Sequence, residues 1–247
     1  MNIRVSKKII CAILLLTNLL FNSYATAQSD GKLKAKELRV EYLNNPTGID
    51  VLNPRHSWIV MSDERGEIQT AYQIQAASSL DSLSRGNADL WDSDKVISSE
   101  TNQVTYAGSS LKSRMQIFWR VRSWDKDDNP SPWSEVASWS MGLLNYSDWK
   151  GNWIGYDVPI KDTDTTDDLE LAPSPYLRTE FEVKGEIKRA TLYASSLGLF
   201  EMSLNGERVG EDYFTPGWTD YNERIYYFTY DVTDQMEKGL NALGATL

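Results

Sequence analysis

The chain has 247 residues, 41% hydrophobic and 24% charged, a balance typical of globular proteins and unlike collagenous or wholly disordered chains. Nine Trp and 13 Tyr stand against one His and one Cys, which argues against zinc clusters, disulfide scaffolds and cysteine or histidine nucleophile chemistry. A formal net charge of -10 and an isoelectric point near 4.7 leave no basic footprint for nucleic acid or anionic lipid, so a neutral partner is expected.

In chain order, Arg4, Lys7 and Lys8 precede an apolar run from Ile9 to Phe21, and Ala25-Thr26-Ala27 supplies a small-x-small cleavage site. Residues 1–27 therefore read as a secretory signal cut near Ala27, which predicts a secreted or periplasmic protein with no membrane anchor. Cys11 lies within the apolar run, so the processed chain contains no cysteine and must be held by its core rather than by disulfides. Residues 28–36 read as a linker. From 37 to 144 the pattern is one of short strands. Leu38, Val40 and Tyr42 alternate with polar residues, as do Tyr72, Ile74 and Ala76. Ile117, Trp119 and Val121 share one face of a strand whose other face carries Phe118, Arg120, Arg122 and Trp124. Asp127-Asp128-Asn129-Pro130 breaks the chain, and Ala137, Trp139 and Met141 form a last strand. Several short strands without a long helical period predict a sandwich of the immunoglobulin or fibronectin III sort.

Residues 145–174 read as a linker with an acidic loop, Lys161 to Asp168, which has too little apolar surface to order itself. Asp162 and Asp164 have calcium-loop spacing. Asp167, however, stands where an EF-hand needs its turn glycine, and Pro173 where it needs a closing glutamate, so a solvated loop is expected and no metal site. Strands resume at Leu177. The segment Phe200 to Val209 alternates into Asn205-Gly206, the signature of a type I′ hairpin. Ile225 to Val232 reads as an aromatic strand, Asp234 as the cap of one helical turn ending at Gly239, and Asn241 to Leu247 as the start of a further strand. About 70 residues from 175 to 247 are fewer than an eight-stranded jelly roll needs, so this module is expected to be incomplete and to expose an unpaired edge.

These segments also carry a resemblance. Leu38-Arg39-Val40-Glu41-Tyr42, Asn45-Pro46-x-Gly48-Ile49-Asp50, Pro54-Arg55-x-Ser57-Trp58, Trp119-Arg120-Val121-Arg122 and Trp153-Ile154-Gly155 are followed by Leu204-Asn205-Gly206, Pro216-Gly217-Trp218-Thr219-Asp220-Tyr221 and Thr229-Tyr230-Asp231-Val232-Thr233. Their order is similar to that at the start of bacterial α-L-rhamnosidases of the glycoside hydrolase family 78 type. The resemblance implies an all-β region, a fibronectin III-like β-sandwich followed by an incomplete jelly-roll-like β-sandwich. It also implies a parent enzyme that hydrolyses terminal α-L-rhamnosides with inversion, without a cofactor, through carboxylates in a later (α/α)6 barrel. No catalytic residue carries over to this sequence, and the chain itself is expected to be inactive.

Two constellations remain. Tyr213, Phe214, Trp218, Tyr221, Tyr226, Tyr227 and Tyr230 form an aromatic group, with Asp220, Asn222 and Arg224 as polar edges. It reads first as core or an interdomain docking face. The alternative is a carbohydrate-binding face on Trp218, Tyr221, Tyr213, Asp220 and Arg224 that stacks the rings of rhamnose-containing glycans, either beside an enzyme or as a free-standing binding or adhesion protein. Trp119, Arg120, Arg122, Trp124, Trp133 and Trp139 read as a structural cation-π ladder, and His56 as a surface or loop histidine.

Overall fold

The computed structural model describes residues 32–155 and 173–247. The expected signal and the acidic loop from Lys161 to Asp168 lie outside the described residues. Among those described, no helix is long and apolar enough to cross a membrane.

The first sandwich opposes a sheet of β1 (Leu33–Val40), β2 (Arg55–Ser62) and β6 (Val104–Thr105) to one of β4 (Trp91–Asp92), β3 (Ala71–Ala77), β7 (Gln116–Trp124) and β8 (Ala137–Ser140), with β5 (Val96–Ile97) also on β3. The short helix α1 (Leu80–Ser84) follows β3 and is capped by Ser79, whose hydroxyl accepts from the Ser82 amide at 3.1 Å. Residues 33–36 are part of β1, so the stretch read as a linker is half strand. The alternation in β7 holds: Ile117, Trp119 and Val121 are fully buried against Ala35, Trp58 and Val104 of the opposite sheet.

The outer face of β7 explains why β3 is buried along its whole length. Gln73 and Gln75 each accept two hydrogen bonds from a guanidinium, Gln73 from Arg122 at 3.0 and 2.7 Å and Gln75 from Arg120 at 3.1 and 2.7 Å. Their amide groups then donate to the two oxygens of Asp92 at 2.6 and 2.7 Å. Above them Arg120 lies 4.5 Å from the Trp133 ring, and Arg122 lies 4.7 Å from Trp133 and 4.8 Å from Trp124. The ladder is therefore present, but Trp119 and Trp139 are not in it; both point into the core.

There they surround His56, which is not on the surface. Its ring is fully buried, 4.6 Å from Trp119, 5.0 Å from Trp139 and 5.6 Å from Trp91 between ring centroids. Neither ring nitrogen has a well-formed hydrogen bond. Burial drives the His56 pKa down to about 4, against a weak opposing pull from the backbone of Val104 and Pro54 and from Glu41.

The predicted turn after β7 is organised by Asp125. This fully buried residue accepts from the amides of Asp127 at 3.0 Å and Asn129 at 2.9 Å. Burial pushes its carboxyl pKa up, but these bonds outweigh that and hold it below the usual carboxylate value. Asp125→Ala is expected to cost about 1–2 kcal/mol, read from urea unfolding, because two turn amides lose their acceptor.

The second module opposes the sheet β12 (Glu207–Arg208), β11 (Glu201–Leu204), β14 (Gly239–Thr246) and β9 (Tyr176–Val183) to the pair β10 (Thr191–Ala194) and β13 (Phe228–Asp231). Asn205 (φ 54°) and Gly206 (φ 88°) form the expected hairpin turn. The predicted helical turn is a 3-10 turn, Thr233–Gln235, with Asp234 inside it. Asp231 is the residue that bonds the turn, accepting from the Thr233 amide at 3.0 Å. Among the described residues the buried hydrophobics of this module are Ala194, Phe200, Leu204, Val209 and Val232, the last three forming one cluster, against a cluster of seventeen in the first module. A core of that size contributes little stability by itself.

Candidate functional site

The aromatic segment runs from Tyr213 to Tyr227, between β12 and β13, and a second loop, 195–200, joins β10 to β11. The two loops are tied together at their base. The Phe200 amide donates to the Thr215 carbonyl and the Thr215 hydroxyl to the Phe200 carbonyl, both at 2.8 Å. Further along, the Gly198 amide donates to the Tyr221 hydroxyl at 3.0 Å. These tied loops expose large apolar side chains: Trp218 is 94% exposed, Phe214 79% and Tyr213 77% on one, and Leu197 and Leu199 are exposed on the other.

The five candidate residues have different partners. Tyr213 lies under the Arg208 guanidinium at 4.6 Å, and Arg208 also bonds Glu201 at 2.9 Å. Tyr221 is used by the Gly198 amide. Asp220 is absorbed by a turn: its Oδ1 accepts from the Asn222 amide at 3.0 Å, and its carbonyl accepts from the Arg224 amide at 2.8 Å. Arg224 lies 5.6 Å from the Tyr226 ring and lines a separate open cleft of 240 Å³ with Gly48, Asp50 and Tyr227. Among the described residues, only Trp218 of the five has neither a ring partner nor a side-chain hydrogen bond.

The rest of the aromatic group divides between core and joint. Tyr230 packs on Phe228 inside the second module. Tyr227 reaches the first sandwich, where its hydroxyl accepts from the Leu143 amide at 2.9 Å and its ring meets Trp149 edge-on at 5.5 Å. Burial raises the Tyr227 pKa despite that amide bond, aided by the Asp50 charge. The joint has further points of contact among the described residues. Thr47 donates its hydroxyl to the Thr229 carbonyl at 3.1 Å. Arg189 donates to the Arg114 carbonyl at 2.7 Å and to Gln116 at 3.1 Å. Gly48 and Gly142 give the approach its room: a Cβ on Gly48 would sit 2.5 Å from the Thr229 hydroxyl, and one on Gly142 would overlap the Tyr227 hydroxyl. Sequence reasoning missed Leu197, Leu199 and this joint. The Gly48-Ile49 motif was visible, but its partner lies about 180 residues away.

These features define a tandem of two all-β domains with a close-packed joint and an exposed apolar loop surface on the second. Residues 35–145 match the Rha78A-like N-terminal immunoglobulin domain, and residues 185–247 match the alpha-L-rhamnosidase N-terminal domain. The alpha-L-rhamnosidase of Formosa agariphila is 40% identical over 234 residues, 94% of this chain and 25% of that protein. That of Alteromonas sp. (strain LOR) is 41% identical over 232 residues, 92% of this chain and 24% of that protein. The solved structure of alpha-L-rhamnosidase from Dictyoglumus thermophilum covers 87% of this chain and 25% of its own, with a TM-score of 0.77 and 38% identity. This chain carries the N-terminal domain pair of the α-L-rhamnosidase family, and it spans about a quarter of the length of these relatives.

Proposed function

We propose that the chain acts as the accessory N-terminal region of an exported α-L-rhamnosidase-type glycoside hydrolase, its second module docking against a catalytic domain that removes terminal α-L-rhamnosyl units with inversion. The observation that carries this reading is the loop surface of Leu197, Leu199, Tyr213, Phe214 and Trp218. Large apolar side chains exposed together mark an interaction face, and here they sit on loops cross-tied beneath by Thr215 and Tyr221. Inversion needs two carboxyl groups about 6.5–9.5 Å apart across a sugar. Asp220, the one carboxylate among the five candidate residues, is occupied by its own turn. The purified chain is therefore expected to release no aglycone from an aryl α-L-rhamnoside, and turnover that follows the protein through purification overturns the reading.

A second reading, direct sugar contact, is favoured by Trp218 alone, whose indole is free to stack. Titration with L-rhamnose separates the two. Docking predicts no change in tryptophan fluorescence at millimolar sugar, whereas stacking predicts quenching that Trp218→Ala abolishes. Because Trp218 is exposed, the variant is expected to keep its stability within about 0.5 kcal/mol, so a lost signal reports binding rather than folding.

A further inference from the structure

β9 is an outer strand of its sheet, and among the described residues no strand pairs with its far edge. It runs eight residues in unbroken register with β14, with no bulge and no Pro or Lys inside it. Bulges, Pro and Lys are among the devices that keep a solvent-facing edge from pairing; charged side chains are another, and those of β9, Arg178, Glu180 and Glu182, are of both signs, so the edge can complement itself. The Leu247 amide donates to the Pro175 carbonyl at 3.2 Å, which fixes the direction of every group along the strand. Backbone groups alternate sides in an antiparallel ladder, so Leu177, Thr179, Phe181 and Val183 bond to β14. The N–H and C=O groups of Tyr176, Arg178, Glu180 and Glu182 then face the open edge.

We propose that this edge pairs with the same strand of a second copy, antiparallel, across a two-fold axis at Thr179. Only registers that place two edge-facing residues opposite each other can form the ladder, and charge discriminates among those. Centred on Thr179, Arg178 meets Glu180 of the second copy twice, Tyr176 meets Glu182, and on the other face Leu177 meets Phe181. Centred on Glu180, Arg178 meets Glu182 twice but the Glu180 carboxylate faces its own copy; on Arg178, the guanidinium faces itself; on Phe181, Glu180 faces Glu182. Opposite charges directly across a ladder stabilise it and like charges destabilise it. Arg178 and Glu180 already form an ion pair within one strand at 2.6 Å, so both side chains lie on the same exposed face as the interstrand pairs require. The resulting sheet is an isologous eight-stranded one.

The test is the oligomeric state of the purified chain, by sedimentation equilibrium up to on the order of 100 μM, together with amide exchange. The expected results are a dimer, concentration-dependent protection of the Arg178 and Glu180 amides, and dissociation constants raised roughly thirtyfold by either Arg178→Glu or Glu180→Arg. The double variant R178E/E180R, which swaps the charges, is expected to restore the dimer. A monomer throughout that range, single variants that dimerise as tightly as the parent, or β9 amides that exchange equally fast at all concentrations overturn the proposal.

Discussion

Between pH 6.5 and pH 4 the chain is expected to lose about 3 kcal/mol of stability through His56 alone. The unfolded histidine has a pKa of about 6.5 and the folded one about 4. Because the folded value is the lower, the stabilisation is complete above pH 6.5 and declines as the solution becomes more acid. Through that interval the unfolded chain binds a proton that the folded chain refuses, which costs about 1.4 kcal/mol per pH unit. The loss levels off below pH 4, once the folded ring is also protonated.

The cause is geometric. Trp119, Trp139, Trp91 and Tyr106 enclose the ring, and a charged imidazolium there gives up its hydration. Tyr106 does not titrate in this range, since burial raises its pKa to about 12. Glu41, whose pKa is lowered chiefly by hydrogen bonding to Arg55, contributes its own loss only as pH falls below about 4.5. Urea unfolding from pH 7.5 to 4.5 reads the effect. His56→Phe keeps an aromatic ring in place and should flatten the slope in that window; an unchanged slope would assign the pH dependence to other groups.

His56 also shows where the sequence stops being legible. Its strand does carry the period of two, since His56, Trp58 and Val60 fall on the inward side of β2. A histidine after Pro54 and Arg55 nevertheless reads as polar, and only the convergence of four aromatic rings from distant segments turns it into a core residue. The elements set by local chemistry were readable: the Asn205-Gly206 turn and the inward face of β7 each follow from a few adjacent residues. The candidate sugar face was not, because whether Asp220 and Arg224 meet Trp218 depends on the path of a loop that is fixed by Thr215 bonding to Phe200 and Tyr221 to Gly198. Composition revealed an aromatic group. Its division into core (Tyr230), joint (Tyr227) and exposed surface (Trp218) is a property of the three-dimensional packing.

That division bears on how the second module stands at all. With five buried hydrophobic residues among those described, it depends on the joint, and Gly142→Ala is expected to open that joint. The added Cβ would overlap the Tyr227 hydroxyl and lie 2.9 Å from the Gly48 carbonyl oxygen, so the clash is partly with backbone and cannot be relieved by a rotamer change alone. Tyr227 must then retreat, releasing the Leu143 amide from its acceptor and the Trp149 ring from its edge contact. Overpacking costs about 1–3 kcal/mol and a stranded amide about 1 kcal/mol more, about 3 kcal/mol in all, set against the net stability of 5–15 kcal/mol typical of a whole domain. The expected result is earlier melting of the second module with the first still folded. Tyr227→Phe, which removes the hydroxyl, tests the same contact without adding bulk; combined with Gly142→Ala it should recover part of the lost stability, because the atom that the new methyl strikes is gone. Two variants whose effects simply add would mean that the glycine and the tyrosine do not meet.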